Sequence, residues 1–402
     1  MIHTAAPRIG FQPTGQLHFG VSLLGPAADT GFDQLRTLAQ TAERGLFSLL
    51  TLDERYWLAG DPEAVSITDP KGSSDVATLL AGLAAVTTNI GLAVAAAPDY
   101  DDPAGLVHRI ASLDTMSGGR AAWQLLADEA SWRGGESAPA GRDDRQTYFD
   151  SAQRLWDAWG SAAHAQGDAQ APVEPLGEFQ SDGQRYSVGL GQLRQPRPRY
   201  RPVILHAGDA AQERGFAARH ADVVTSGPAG LGDALAFRRD MLARSQDAGR
   251  GPQEVKILQA GTFVLSDTDS QAQEKANWIR GQLPESAWDV EAFIGSYSGV
   301  ADRLLDFARS GAVDGFGITP WLHPAELDDV VNHLVPELQE RGIYPEEYTA
   351  TSLRDNLGFP GAAKAMDSQA RHPLPVIEVG DLEDIHLDLD IRMELVVQKL
   401  RP

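Results

Sequence analysis

Short apolar runs alternate with helical patterns along most of this chain, and no other feature limits its fold so tightly. The stretch from Asp75 to Ala127 shows the repeating unit. DVATLLAGLAAVTT carries apolar residues at helical spacing behind a capping Asp75. NIGLAVAAA is short and nearly all apolar, as expected of a parallel strand covered on both faces. Pro103 then opens a second helix with a Leu106/Ile110/Leu113 stripe, Gly118-Gly119 stops it, and AAWQLLAD reads as the next strand. Eight such strands are predicted, at 18–25, 46–52, 90–96, 120–126, 202–207, 221–227, 255–265 and 313–320. Helices fill the gaps at 31–44, 75–87, 103–117, 143–160, 211–220, 229–247, 268–282 with 299–310, and 324–341. Eight strands with intervening helices predict an α/β fold of the (β/α)8 TIM-barrel class.

At 402 residues the chain exceeds the usual domain, yet barrels of this length form one unit. We expect one barrel domain over 1–360 and a C-terminal extension over 361–402. Insertions fall after strands two, four and seven, at 54–74, about 160–201 and 283–298. The second is too long for a plain connection and predicts a small hairpin or a lid. In the extension, IHLDLDIRMEL alternates apolar and charged residues strictly, which predicts a long amphipathic strand. Left alone it would invite aggregation, so it should pair with the N-terminal arm at 7–17 or with another subunit.

The formal net charge of −22 repels phosphate backbones and anionic lipid, so neither nucleic-acid nor membrane partners are expected. No run of 18 apolar residues occurs, and the start MIHTAAPRIGFQ lacks the basic and apolar regions of a signal peptide, which points to the cytoplasm. The absence of cysteine excludes disulfides and thiolate metal sites, and the His and acidic residues show no metal-ligand spacing. Neither a P-loop nor a GxSxG turn is present. Barrels place functional groups at strand C-termini, where this chain has Asp53, Asp128 and His206. Each has a plain structural alternative: a helix or loop cap for Asp53, a salt bridge for Asp128, a hydrogen-bonded structural role for His206.

Several motifs resemble those of bacterial luciferase-like flavin monooxygenases, in the nitrilotriacetate, dibenzothiophene-sulfone and pristinamycin-type subgroup. They are FDQLRTLAQTAERGLFSLLTLDE (32–54), TLLAGLAAVTTNIGL (78–92), HRIASLDTMSGGRAAW (108–123), PVILHAG (202–208) and the closing LVPELQERGIYPEEYTATSLRDNLGF (334–359). The resemblance spans about residues 18 to 359. It implies an enzyme that takes reduced FMN from a separate reductase and uses O2 to oxygenate a small organic substrate, as a homodimer. It further implies flavin contacts from Asp53, Ala95, Gln124, Tyr148 and the phosphate-loop positions Ala207, Gly208, Asp209 and Ala210. Catalytic roles would fall to His206, Tyr100 and Asp128. Trp321 would form a wall, and Arg142 and Arg145 would face phosphate or substrate.

The pocket departs from the family pattern more than the scaffold does. The family ends strand four in Trp-Asn-x-x-Thr-Ser, whereas this chain reads Trp123-Gln124-Leu125-Leu126-Ala127-Asp128. Gln124 still offers an amide; Ala127 cannot replace a hydroxyl. After strand three the family's Tyr-His pair is replaced by Ala104 and Gly105, leaving Tyr100 as an aromatic donor. The phosphate loop reads His206-Ala207-Gly208-Asp209-Ala210, where Asp209 resembles an ordinary N-cap competing with phosphate for the same N–H groups. These losses keep an alternative in view: a flavin-free, non-catalytic homologue acting as a partner subunit or scaffold. A deazaflavin-dependent oxidoreductase on the same barrel is a narrower variant.

Overall fold

A computed structural model describes residues 16–23, 31–53, 75–96, 102–126, 141–164, 177–181, 184–188, 201–208, 211–227, 229–281, 291–319, 325–359 and 377–378. Its strands are β1 (His18–Leu23), β2 (Leu49–Asp53), β3 (Gly91–Ala96), β4 (Ala121–Leu125), β5 (Gly177–Ser181), β6 (Gln184–Val188), β7 (Val203–Ala207), β8 (Val223–Ser226), β9 (Lys256–Ser266), β10 (Glu291–Ser296), β11 (Gly315–Ile318) and β12 (Ile377–Glu378). The principal helices are α1 (Phe32–Arg44), α2 (Val76–Ala84), α3 (Pro103–Ser117), α4 (Gly141–His164), α5 (Ala211–His220), α6 (Leu231–Asp247), α7 (Asp269–Arg280) and α8 (Tyr297–Ser310). Parallel pairings run β1–β2–β3–β4–β7–β8–β9–β11, and β11 pairs back onto β1, closing the sheet into the expected eight-stranded barrel. Followed once around, the register returns displaced along the strand, which is the stagger that closure of tilted strands requires.

β10 was not expected as a strand. The long β9 pairs with β8 and β11 through its first half, then carries β10 on its second half from Gly261 to Ser266. The insertion after β4 contains the expected hairpin, β5 antiparallel to β6. A two-residue piece of the C-terminal extension, β12, adds to that hairpin in parallel through Ile377 and Phe179. The amphipathic run at 385–395 lies outside the described residues.

Two apolar layers follow from strand alternation. Leu50, Leu52, Leu92, Val94, Trp123, Leu125, Ile204 and Phe316 point outward and pack under the helices. Leu49, Ala93, Ala122, Val203, Leu205, Val223 and Leu258 come from six different strands yet form one cluster, so they fill the barrel interior. Leu353, Leu357 and Phe359 join that cluster from below, on and just after a short helix, α9 (Leu353–Asn356). The fit is close: a Cβ at Gly91 would meet Leu353 Cδ1 at 2.6 Å. Arg354 fastens the plug to Asp222 at 2.8 Å, and the same Asp222 carboxylate accepts from Ile204 N–H at the foot of β7. The helical run after β11 carries a π turn at Val330–Leu334 immediately before Pro336. A proline there lacks the N–H that an α-turn needs and its ring crowds the preceding turn, and a wider turn absorbs both.

The SGGR motif is a structural joint. Gly118 and Gly119 adopt φ of 72° and 91°, which end α3 in the left-handed region. Asp114, just before them, is buried, and burial pushes its carboxyl up to about 7 against a hydrogen bond from Ala121 N–H. The native carboxyl therefore takes up a proton near pH 7, whereas the unfolded one waits until about 3.8. This group's contribution to stability is full below about 3.8 and is lost as pH rises through about 7. His18 and His220 act oppositely: burial with Lys256 nearby, and burial with Arg219 nearby, lower each imidazole to about 4. Thermal melts of Asp114→Asn, whose amide stays neutral throughout, should thus converge with those of the unsubstituted protein on acidification. Relative to the variant, the unsubstituted protein should gain about 1 kcal/mol per pH unit between pH 7 and 4. A gap independent of pH would show that Asp114 is ionised in the native state.

Candidate active site

Interior-facing and exterior-facing residues behave differently at the C-terminal ends of the strands. Ser22, Gln124, Ala207, Thr225, Ala260 and Gly317 are inner-face positions at the strand tips, and all six are only partly buried. Their outward neighbours Val21, Leu125, His206, Ser226, Gln259 and Ile318 are buried. Solvent therefore reaches into the barrel from this end. None of these six positions is charged, and the Gln124 amide and the Ser22 and Thr225 hydroxyls are their polar groups; Asp53, in register with Ala95, adds an acidic position to the same rim. The other end is closed by Leu353, Leu357 and Phe359.

Register brings three of the expected cofactor contacts together. Asp53 pairs with Ala95, and Ala95 pairs with Gln124, so β2, β3 and β4 place them in one row across the rim. Ala95 is fully buried beneath Leu126, which turns inward two residues after Gln124. The Gln124 amide has no hydrogen-bond partner among the described residues, although the neighbouring backbone groups are paired in the sheet. A partly buried amide that is both donor and acceptor is suited to the edge of a heteroaromatic ring.

His206 requires a correction. Its place at a strand tip suggested that it faces the mouth, but Leu205 and Ala207 take the inner face, which sends His206 outward. The ring packs 5.0 Å from Phe216 of α5; Nδ1 lies 2.8 Å from the Leu125 carbonyl oxygen and Nε2 2.8 Å from Glu213 Oε2. It cannot touch a molecule inside the barrel. Tyr148 is corrected for the same reason: it lies on α4 against the outward-facing Trp123, ring centroids 6.3 Å apart, in the layer between helix and sheet. Trp156, also on α4, is core.

Gly208 keeps its small size for packing. A Cβ there would meet Val224 Cγ1 at 2.8 Å and Phe237 Cζ at 2.9 Å. Its N–H already donates to Thr225 carbonyl oxygen at 2.8 Å, and its own carbonyl accepts from Arg214 Nε at 3.1 Å. An anion at this turn would have to use N–H groups further along. Ala207 lies on the inner face at the mouth and is partly buried. Tyr100, Asp128, Asp209, Ala210 and Trp321, with the side chains of Arg142 and Arg145, lie outside the described residues. Ser22, Thr225, Ala260 and Gly317 were not anticipated, although strict alternation from Val223 and Leu258 would have found Thr225 and Ala260. Among the described residues no group of three or more His, Asp or Glu could hold a metal ion, and no helix is long and apolar enough to cross a membrane.

A closed parallel barrel, packed at one end and reached by solvent at its strand C-termini, has the (β/α)8 architecture whose enzymes place their sites at that end. Residues 16–313 match the luciferase-like monooxygenase family, and the chain belongs to it. It is 29% identical to one of the subunits of pristinamycin IIA synthase from Streptomyces pristinaespiralis, with 84% of this chain and 92% of that protein covered. It is 27% identical to nitrilotriacetate monooxygenase component A of Aminobacter aminovorans, with 83% and 91% covered. Among solved structures it is similar to riboflavin lyase, determined with modified FMN and riboflavin, at a TM-score of 0.69, 22% identity, and 86% and 99% coverage. The protein is accordingly a flavin-dependent monooxygenase.

Proposed function

We propose that this chain is the oxygenating component of a two-component system that receives reduced FMN from a separate reductase and oxygenates a small organic substrate with O2. The observation that carries the reading is the Gln124 amide, without a partner among the described residues, at a solvent-accessible barrel mouth. The relative from Aminobacter aminovorans, named as one component of a monooxygenase, supports the need for a reductase. When bound, reduced FMN supplies the electrons that activate O2, one oxygen atom entering the substrate and the other leaving as water. Gln124 would hold the edge of the ring. Ala207, Ala260 and Gly317 leave room for it, and Leu126 over Ala95 keeps water from the β3–β4 side. Asp53 sits at the rim of the same row, and Asp209-Ala210 with the start of α5 would meet the phosphate.

Fluorescence quenching of FMN by the purified protein tests this directly. Micromolar or tighter binding, with substrate-dependent O2 uptake once a reductase is added, is the expected result. No binding at high FMN would favour the flavin-free scaffold instead. In the same titration Gln124→Leu should weaken binding by about three- to tenfold, the worth of one hydrogen bond. Asp209→Ser should tighten it by about tenfold or more, because a carboxylate about 5 Å from phosphate costs on the order of 3 kcal/mol per unit charge. Unchanged affinity in the second variant would place the phosphate elsewhere.

We further propose a homodimer formed through α2. This helix carries no charged residue from Val76 to Ala84; Leu79 and Gly82 are partly exposed, as is Val86 just after it, with Phe32 lying across Gly82 and 39% exposed. A cytoplasmic location fits the composition and the need for a reductase partner.

A further inference from the structure

The corrected position of His206 leaves a buried ionisable pair behind the site that the reaction itself does not use. Nδ1 of His206 faces the Leu125 carbonyl oxygen, which only accepts, so Nδ1 carries a proton. Nε2 faces Glu213 Oε2 at 2.8 Å. That contact must hold one further proton, either as imidazolium with carboxylate or as imidazole with carboxylic acid. The two side chains are 1% and 14% exposed, so water competes little for the bond.

The pair joins two elements that would meet opposite ends of one cofactor. Leu125 follows Gln124 at the tip of β4, and Glu213 lies in the first turn of α5, the helix opened by the 208–210 loop. We infer that His206 and Glu213 form a positioning strut, which holds the amide of Gln124 at a set distance from the first turn of α5. The inference rests on the flavin reading, and neither residue touches the cofactor. Either proton arrangement makes the same hydrogen bond, and the strut rests on that bond. Glu213→Gln therefore keeps it, because the new amide N–H donates to Nε2, whereas Glu213→Ala removes it.

The test uses the full chain and both variants, each studied well below its thermal midpoint. Hydrogen exchange of the segment 121–126 reports on the β4 tip without cofactor, and FMN quenching reports on the site. Glu213→Ala should speed exchange at Leu125 and Leu126 and weaken FMN binding, each by about tenfold, while Glu213→Gln stays within about twofold on both. Unchanged exchange in Glu213→Ala overturns the strut whether or not FMN binds. Faster exchange with unaltered FMN affinity overturns its positioning role, since a merely structural bond would behave that way. Equal losses in both variants would also overturn it, because the hydrogen bond would not be the cause. Faster exchange in a protein that never binds FMN upholds the strut and removes the flavin reading.

Discussion

Replacing Arg120 with methionine is expected to lower unfolding free energy by about 3–5 kcal/mol, enough to bring a typical domain close to its threshold. The side chain is 2% exposed, and burial lowers its pKa from the ordinary arginine value. All its donors are used. Nε donates to Ser117 carbonyl oxygen at 2.8 Å; Nη1 donates to Thr87 Oγ1 and to Ile90 carbonyl oxygen at 2.9 Å each; Nη2 donates to the carbonyls of Ala84 and Thr87 at 3.1 Å each. One guanidinium thus satisfies carbonyls at the end of α2, before β3 and at the end of α3. Helix ends leave such groups without intrahelical partners, and a buried one left unpaired costs about 1–3 kcal/mol. Methionine fills part of the volume and satisfies none of them. Arg120→Lys, with three donors on a point charge, should lose roughly half as much. Denaturant unfolding measures both, and a loss below about 1 kcal/mol for Arg120→Met would mean that water replaces the guanidinium.

The second large effect is expected at Asp314, just before β11. Its carboxylate meets Arg238 of α6 through Nη1 at 2.7 Å and Nη2 at 3.4 Å, and it accepts from Ile257 N–H at 2.8 Å. The two side chains are 4% and 5% exposed. Lys256 Nζ lies 3.9 Å from the same carboxylate. Breaking a buried charged pair by removing one member is strongly destabilising, so Asp314→Ala should cost about 3–5 kcal/mol. The double change Arg238→Met with Asp314→Leu should cost less than the single one, because a buried pair contributes little net stability over apolar groups of similar volume. Part of the loss will remain, since the Ile257 N–H keeps no acceptor. Equal or greater loss in the double variant would argue that the pair is net stabilising. The substitutions act far from the barrel mouth, so FMN binding by the folded fraction should be unaffected.

Much of the scaffold is legible in the sequence. Each barrel strand appears within a few residues of its predicted place, because four to six consecutive apolar residues between turn signals have few other uses in a chain of alternating elements. The hairpin after β4 is legible from the length of its insertion. β10 is not. EAFIGS precedes a helix capped by Ser296, and its few apolar residues read as the approach to that helix until β9 proves long enough to carry a neighbour. The row of Asp53, Ala95 and Gln124 follows from resemblance, and register explains why those positions belong together.

His206 shows where the sequence stops informing. In a strand buried on both faces the two sides are equally apolar, so VILHA carries no mark of which face is inner. A displacement of one residue exchanges the faces completely. Only the closed sheet, by seating Leu205 and Val203 among residues from five other strands, decided that His206 lies behind the site and not within it. Local pattern and spacing along the chain therefore determined that there would be eight strands, which segments they are and which end carries the chemistry. Tertiary closure decided which side chains face the ligand, because facing is a property of the ring as a whole and is absent from any strand taken singly.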